Sequence, residues 1–176
     1  MPTPFAMLTT LLERLPCAIG PAEISLVPRP VLPLPFARML DHDGHMTAAV
    51  EARHGVPVGV RVLQRRQDGA SYAREILLVR PDGAVVQYAV VRLDLGCCPP
   101  AARAAILAEH TPLGHILQRL PGALRIEPVA FVRAPLPAFL ATHFGVPVGH
   151  EAYGRLVRIH LGADCLIEGL ELLANG

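Results

Sequence analysis

Tyr72-Ala73-Arg74-Glu75-Ile76-Leu77-Leu78 is the stretch that decides the fold. It reads as a strand with one arginine among apolar side chains. Upstream, Val58, Val60 and Val62 alternate with Gly59, Arg61 and Leu63, the period of a half-buried strand. Downstream, Ala84 to Leu93 is a third strand-like run. Gln67-Asp68-Gly69-Ala70 and Pro81-Asp82-Gly83 are turn sequences between the three. Strands joined by turns this short predict an antiparallel meander.

Arg74 is the residue out of place. A guanidinium cannot be neutralised inside a protein. If Arg74 is buried it needs an anion, and a small-molecule carboxylate would serve. A structural reading stands beside this one: Arg74 paired with Glu75 or Asp94, since structural ion pairs are common.

The rest of the chain supplies helices. Phe5 to Leu15 reads as a short helix ended before Pro16. Prolines at 21, 28, 30, 33 and 35 make the next segment extended or looped over the surface. Phe36 to Leu40 is a helical turn, and Thr47 is the expected N-cap of a helix that runs to His54 and stops at Gly55. Pro100 opens a helix over Ala101 to Glu109. Thr111 caps another short helix, with Pro112 at its first position. Leu124 to Arg133 is a fourth strand and Leu136 to His143 a helix. Tyr153 to Ile159 and Cys165 to Leu173 form a final hairpin around Leu161-Gly162-Ala163-Asp164. Gly-Val-Pro-Val-Gly occurs at 55–59 and again at 145–149. It is read as one helix-to-strand turn used twice rather than an internal duplication. The expected class is α+β, a single antiparallel sheet with helices on one face. A Pro-rich helix and wrapping segment over 1–35 precedes an α+β domain over 36–176.

Composition narrows the function. The chain has 176 residues, enough for one domain with a sizeable core. It is 52% hydrophobic, yet no window reads as a membrane span. The N-terminus lacks the basic start and unbroken apolar core of a signal peptide, so a cytoplasmic location is expected. The net charge of +1, with no block of like charge, argues against nucleic acid. All 16 basic residues are arginine. The lack of lysine excludes Schiff-base chemistry, a pyridoxal enzyme anchored through its own lysine, and a standard phosphate-loop NTPase. Cys17, Cys97, Cys98 and Cys165 are read as free thiols, because adjacent cysteines lack zinc-knuckle spacing. His42 and His45, with Asp41 and Asp43, are the only metal-like cluster; the spacing is loose and no metal site is expected.

Four local patterns, taken in order, resemble the chorismate lyase family. They are His45-Met46-Thr47 at a helix start, Arg74-Glu75-Ile76-Leu77-Leu78 on a central strand, Thr111-Pro112-Leu113-Gly114 after a short helix, and Tyr153-Gly154-Arg155-Leu156-Val157-Arg158 before the last hairpin. The resemblance covers roughly residues 36–173. It implies a single antiparallel sheet with helices on one face and a closed site under helical flaps. It implies cofactor-free elimination of pyruvate from chorismate, leaving 4-hydroxybenzoate. Carried over by position, Arg74 would hold the ring carboxylate. The backbones of Met46 and Leu113 would complete the site, and a glutamate on the last strand would contact the 4-oxygen. That glutamate is Glu171 if the final hairpin takes its longer form; with the shorter form Gly169 falls there. The two share a strand face, while Glu168 points to the other.

The chemistry is coherent. Arg74 can grip a carboxylate bidentately and fix the ring plane. Glu171, with its pKa raised in a closed apolar site, would donate or relay a proton to the departing fragment. The same fold without a competent acid would be a non-catalytic binding protein or sensor for a small aromatic carboxylate. A third reading gives the apolar surplus to a dimer interface.

Overall fold

The computed structural model describes residues 2–120, 122, 124–162 and 164–176, with the side chains of 164–166 left out. The expected hairpin tip at Ala163 and the thiol of Cys165 therefore lie outside the described residues. The chain forms six helices and seven strands among the described residues: α1 (Pro4–Leu12), β1 (Ser25–Val27), α2 (Leu34–Leu40), α3 (Met46–His54), β2 (Gly59–Asp68), β3 (Ser71–Val79), β4 (Val85–Asp94), α4 (Pro100–Ala108), α5 (Leu113–Leu117), β5 (Leu124–Pro135), α6 (Ala138–Phe144), β6 (Glu151–Leu161) and β7 (Asp164–Leu173).

All the strands join one antiparallel sheet in the order β1-β5-β6-β7-β4-β3-β2. The expected α+β class with a single antiparallel sheet is observed, and β2, β3 and β4 form the expected meander. The terminal hairpin inserts β7 beside β4, so the last strand of the chain is central. A segment that is unremarkable in sequence thereby lines the middle of the molecule.

Burial follows strand alternation. Ile76, Leu78 and Ala89 pack against α2 and α3, while Tyr72, Leu93 and Ile167 pack against α4 and α5. These four helices are the layer on the site face. On the opposite face Leu77, Tyr88, Leu156 and Leu170 meet α1 and α6. Helix α1 buries Met7, Leu8, Leu11 and Leu12 there. At about 1.5–3 kcal/mol for each such side chain, α1 contributes substantially to the core.

Several local expectations are corrected. The proline-rich segment is not all loop: Ser25 to Val27 pairs with Phe131 to Arg133 as an edge strand. Thr47 does not cap α3. His45 is the N-cap and makes no side-chain cap hydrogen bond, while Thr47 is the second residue of the helix and is buried. Helix α5 begins at Leu113 with Pro112 as its cap, so Thr111 stands outside it. Proline's fixed φ serves the helix start in place of a side-chain cap. The two Gly-Val-Pro-Val-Gly copies do the same local job. Gly55 and Gly145 end α3 and α6 in the left-handed region, at φ 67° and 68°. Among the described residues no helix is long and apolar enough to cross a membrane.

Candidate functional site

The sheet register sorts the site-face residues into rows. Arg74, Val91, Gly169 and Val157 pair across four strands in one row. Ile76, Ala89, Glu171 and Arg155 form the next. Leu78 and Gln87 form a third. Polar groups thus step across an apolar sheet surface, with Arg74 at one side and Gln87 at the other. From Arg74 to Glu171 is two strands across and one row along, about 12 Å between Cα positions by ideal sheet spacing.

A cavity of about 50 Å³ lies over these rows, beneath α3 and α5. Met46, Leu113 and Glu171, three of the four residues expected from sequence, line it together. His45, Thr47, Gln87 and Arg155 line it as well. Arg74 is not among the lining groups, although its row neighbours Val91 and Val157 are. It lies on the same sheet face and is 1% exposed. The cavity is smaller than the roughly 150 Å³ that admits a benzene ring. Hollows of about 270 Å³ lie elsewhere on the surface, near Arg92 and Glu168 and beside α4. Arg92 and Glu168 are paired with one another there.

Among the described residues Arg74 forms no direct ion pair; Glu109, which acts on it through space, is paired with Arg65. Arg74 Nε and Nη1 are buried without a hydrogen-bond partner. Burial depresses its pKa, while the nearby Tyr72 hydroxyl and Glu109 carboxylate oppose that fall. The structural pairings considered for it do not form. Glu75 points to the other sheet face, where it accepts from the Tyr88 hydroxyl at 2.7 Å, Ala18 N–H at 2.7 Å and Gln64 Nε2 at 3.0 Å. Asp94 accepts from the backbone of Gly96 at 2.8 Å. Adjacent residues on a strand face opposite ways, so Glu75 was never placed to serve Arg74. The carboxylate on Arg74's side is Glu109, which accepts from Tyr72 at 2.5 Å and Arg65 at 3.0 Å. Burial pushes Glu109 up, but these two donors hold it below the usual carboxylate range.

Glu171 is differently placed. Its Oε2 accepts from Arg155 Nε at 2.7 Å. Arg155 is 1% exposed, and its remaining nitrogens reach Leu40 O at 3.2 Å, His42 O at 2.7 Å and Gly44 O at 3.0 Å. One guanidinium thus ties the α2–α3 loop to the sheet and to the candidate acid. Gly169, the other sequence candidate, also faces the site and stands in the row of Arg74. Glu168 lies on the opposite face with Arg92 and Arg158.

The helical cover is held by few contacts. Gly114 of α5 abuts Thr47 of α3 so closely that a Cβ there would lie 2.6 Å from Thr47 Oγ1. His115 Nε2 is 3.0 Å from Glu51 Oε2, while Val58 N–H donates to Glu51 Oε1 at 3.0 Å. Burial raises Glu51, but Val58 and His115 together bring it below its ordinary value. Burial lowers His45, so its imidazole is neutral at pH 7. His42 spends both ring nitrogens on the loop, at Met39 O and Gly44 N.

Sequence reasoning singled out neither Gln87 nor Arg155 as a site residue. Gln87 carried the signal that marked Arg74, a lone polar side chain in an apolar strand. Arg155 was visible only as part of a motif, because its partners come from a loop more than 100 residues earlier.

No protein-family model matches the sequence. No curated protein matches it either. Among solved structures, the chain is similar to PhnF from Mycobacterium smegmatis, with a TM-score of 0.52 and 17% identity over 77% of this chain and 65% of that one. The chain thus spans less than two thirds of that structure's length. It is also similar to the effector domain of PhnF alone, with a TM-score of 0.54 and 17% identity, over 76% of this chain and 89% of that one. The C-terminal domain of the histidine utilization repressor from Pseudomonas syringae pv. tomato superimposes more loosely, with a TM-score of 0.44 and 12% identity over 66% of this chain and 90% of that one. At these identities the likeness speaks to the fold.

Proposed function

We propose that this chain is a non-catalytic binding domain that senses a small aromatic carboxylate in the cavity between the sheet and helices α3 and α5. The observation that carries this reading is Arg74, a buried cation with two nitrogens lacking a hydrogen-bond partner, in the same sheet row as the cavity-lining Val91 and Val157. Leaving such a charge unpaired costs several kcal/mol, and a bound carboxylate removes that cost. The ring would lie on the apolar rows formed by Ile76, Ala89 and Val91. Because the cavity is smaller than a ring, an aromatic occupant would press on α3 and α5, and a displaced helical cover is a readable signal. Likeness to a domain described as an effector domain supports the same reading.

Glu171 is why sensing ranks above elimination. Its Oε2 is committed to Arg155, whose other nitrogens hold three loop carbonyls, an arrangement that suits a structural ion pair more than a proton donor. The lyase reading keeps one favouring observation: Met46, Leu113 and Glu171 line one cavity, as the family resemblance implies. One experiment separates the two. The protein is titrated with benzoate and 4-hydroxybenzoate by calorimetry, then incubated with chorismate while pyruvate and hydroxybenzoate are followed. Binding without pyruvate release is the expected result. Pyruvate release would establish the lyase, and silence in both assays would sink both readings.

A further inference from the structure

One buried group of the cavity is left unused by this account. Gln87 is 3% exposed and lines the cavity, and its Oε1 is buried without a hydrogen-bond partner. An unsatisfied buried acceptor is costly, and its pairing is a strong determinant of which ligand fits.

Its position indicates what it would accept. Ala89 pairs with Glu171, and Gln87 precedes Ala89 by two residues on the same face. Gln87 and Glu171 are therefore diagonal neighbours, about 7–8 Å apart at Cα. Gln87 and Glu171 both line the cavity, while Arg74, with two donors unpaired, lies two rows from Gln87 along the same sheet face. A hydroxyl has one proton and can serve only one of these acceptors. A primary NH₂ has two and can serve both.

Charge sharpens the choice. Arg155 and Glu171 balance one another, and Arg74 calls for a single negative charge. A protonated amine would bring a further cation close to Arg155. An aromatic amine, neutral at pH 7, brings two donors and no charge.

We propose that the cavity selects carboxylates bearing an uncharged primary amine on the side opposite the acid group. Gln87 and Glu171 share its two N–H donors while Arg74 holds the carboxylate. This inference rests on the binding reading above and names the ligand class for the same site.

Calorimetric titration of the whole chain with 4-aminobenzoate, 4-hydroxybenzoate and benzoate tests it. Wild type is expected to bind 4-aminobenzoate about tenfold more tightly than either of the others, the factor of one or two neutral hydrogen bonds. Gln87→Met, similar in length and without the amide, is expected to erase that advantage, read as the ratio of 4-aminobenzoate to benzoate affinity within the same variant. Gln87→Leu provides a second variant should the first fold poorly. Equal affinity of wild type for the three compounds overturns the inference and leaves the carboxylate site standing. So does an amine preference that survives in the variants. If no benzoate binds wild type, the inference falls together with the reading beneath it.

Discussion

Arg155 Nε donates to Glu171 Oε2 at 2.7 Å while the other nitrogens of the same guanidinium hold the carbonyls of Leu40, His42 and Gly44. The pair joins the cavity floor to the loop that leads into its helical cover. Removing the arginine leaves a carboxylate uncompensated and three carbonyls unpaired. Arg155→Met is expected to cost about 3–5 kcal/mol, the usual loss for breaking a buried pair. Denaturant unfolding measures the loss. Hydrogen exchange should show the fastest opening at residues 40–46. A variant as stable as wild type would mean that the guanidinium holds nothing in place.

Arg74 has the opposite expectation. Its charge is buried with two nitrogens unpaired, so Arg74→Met should stabilise the ligand-free protein by about 1–3 kcal/mol. For a chain of this size that is roughly 2–4 °C of melting temperature per kcal/mol. The same substitution should abolish carboxylate binding. A variant that melts lower than wild type would point to partners within the protein, and the ligand role would lose its basis.

Gly114 and Thr47 set how tightly α5 closes on α3. A Cβ at Gly114 would meet Thr47 Oγ1 at 2.6 Å and Thr47 Cβ at 2.8 Å. Gly114→Ala should therefore cost about 1–3 kcal/mol through overpacking. Adding Thr47→Gly removes both clashing atoms and should recover part of the loss. A double-mutant cycle with no coupling between the two positions would refute this contact.

Cys17 gives a test at alkaline pH. Burial, aided by the Glu75 carboxylate, pushes its thiol up from 9.0 to about 12. At pH 8 almost none of it is thiolate, so a disulfide reagent should modify Cys17 far more slowly in the folded protein than after unfolding. The folded-state value lies above the unfolded one. The contribution of the protonated thiol to stability is therefore complete below pH 9 and is lost as pH rises toward 12. Equal labelling rates for folded and unfolded protein would contradict this burial.

Much of the fold is legible in the sequence. Period-two alternation marked β2, and Gly55 marked the end of α3, because backbone geometry imposes both locally. The caps of α3 and α5 were misplaced by a residue or two. Thr47 has a good capping side chain, but the tertiary fit against Gly114 draws it inside the helix. Strand β1 was missed because three residues between prolines carry no periodic signal; pairing with β5 makes them a strand.

The sequence by itself determined the antiparallel class, and it marked Arg74 as a cation that a buried strand does not tolerate without a partner. Those follow from chain geometry and from the chemistry of one side chain. Only the tertiary structure decided the partners. It gave Glu75 to Tyr88 and Glu171 to Arg155, and left Arg74 and Gln87 with unpaired atoms. Such pairings depend on strand order and on loops distant in the chain, and no local spacing encodes which charge meets which.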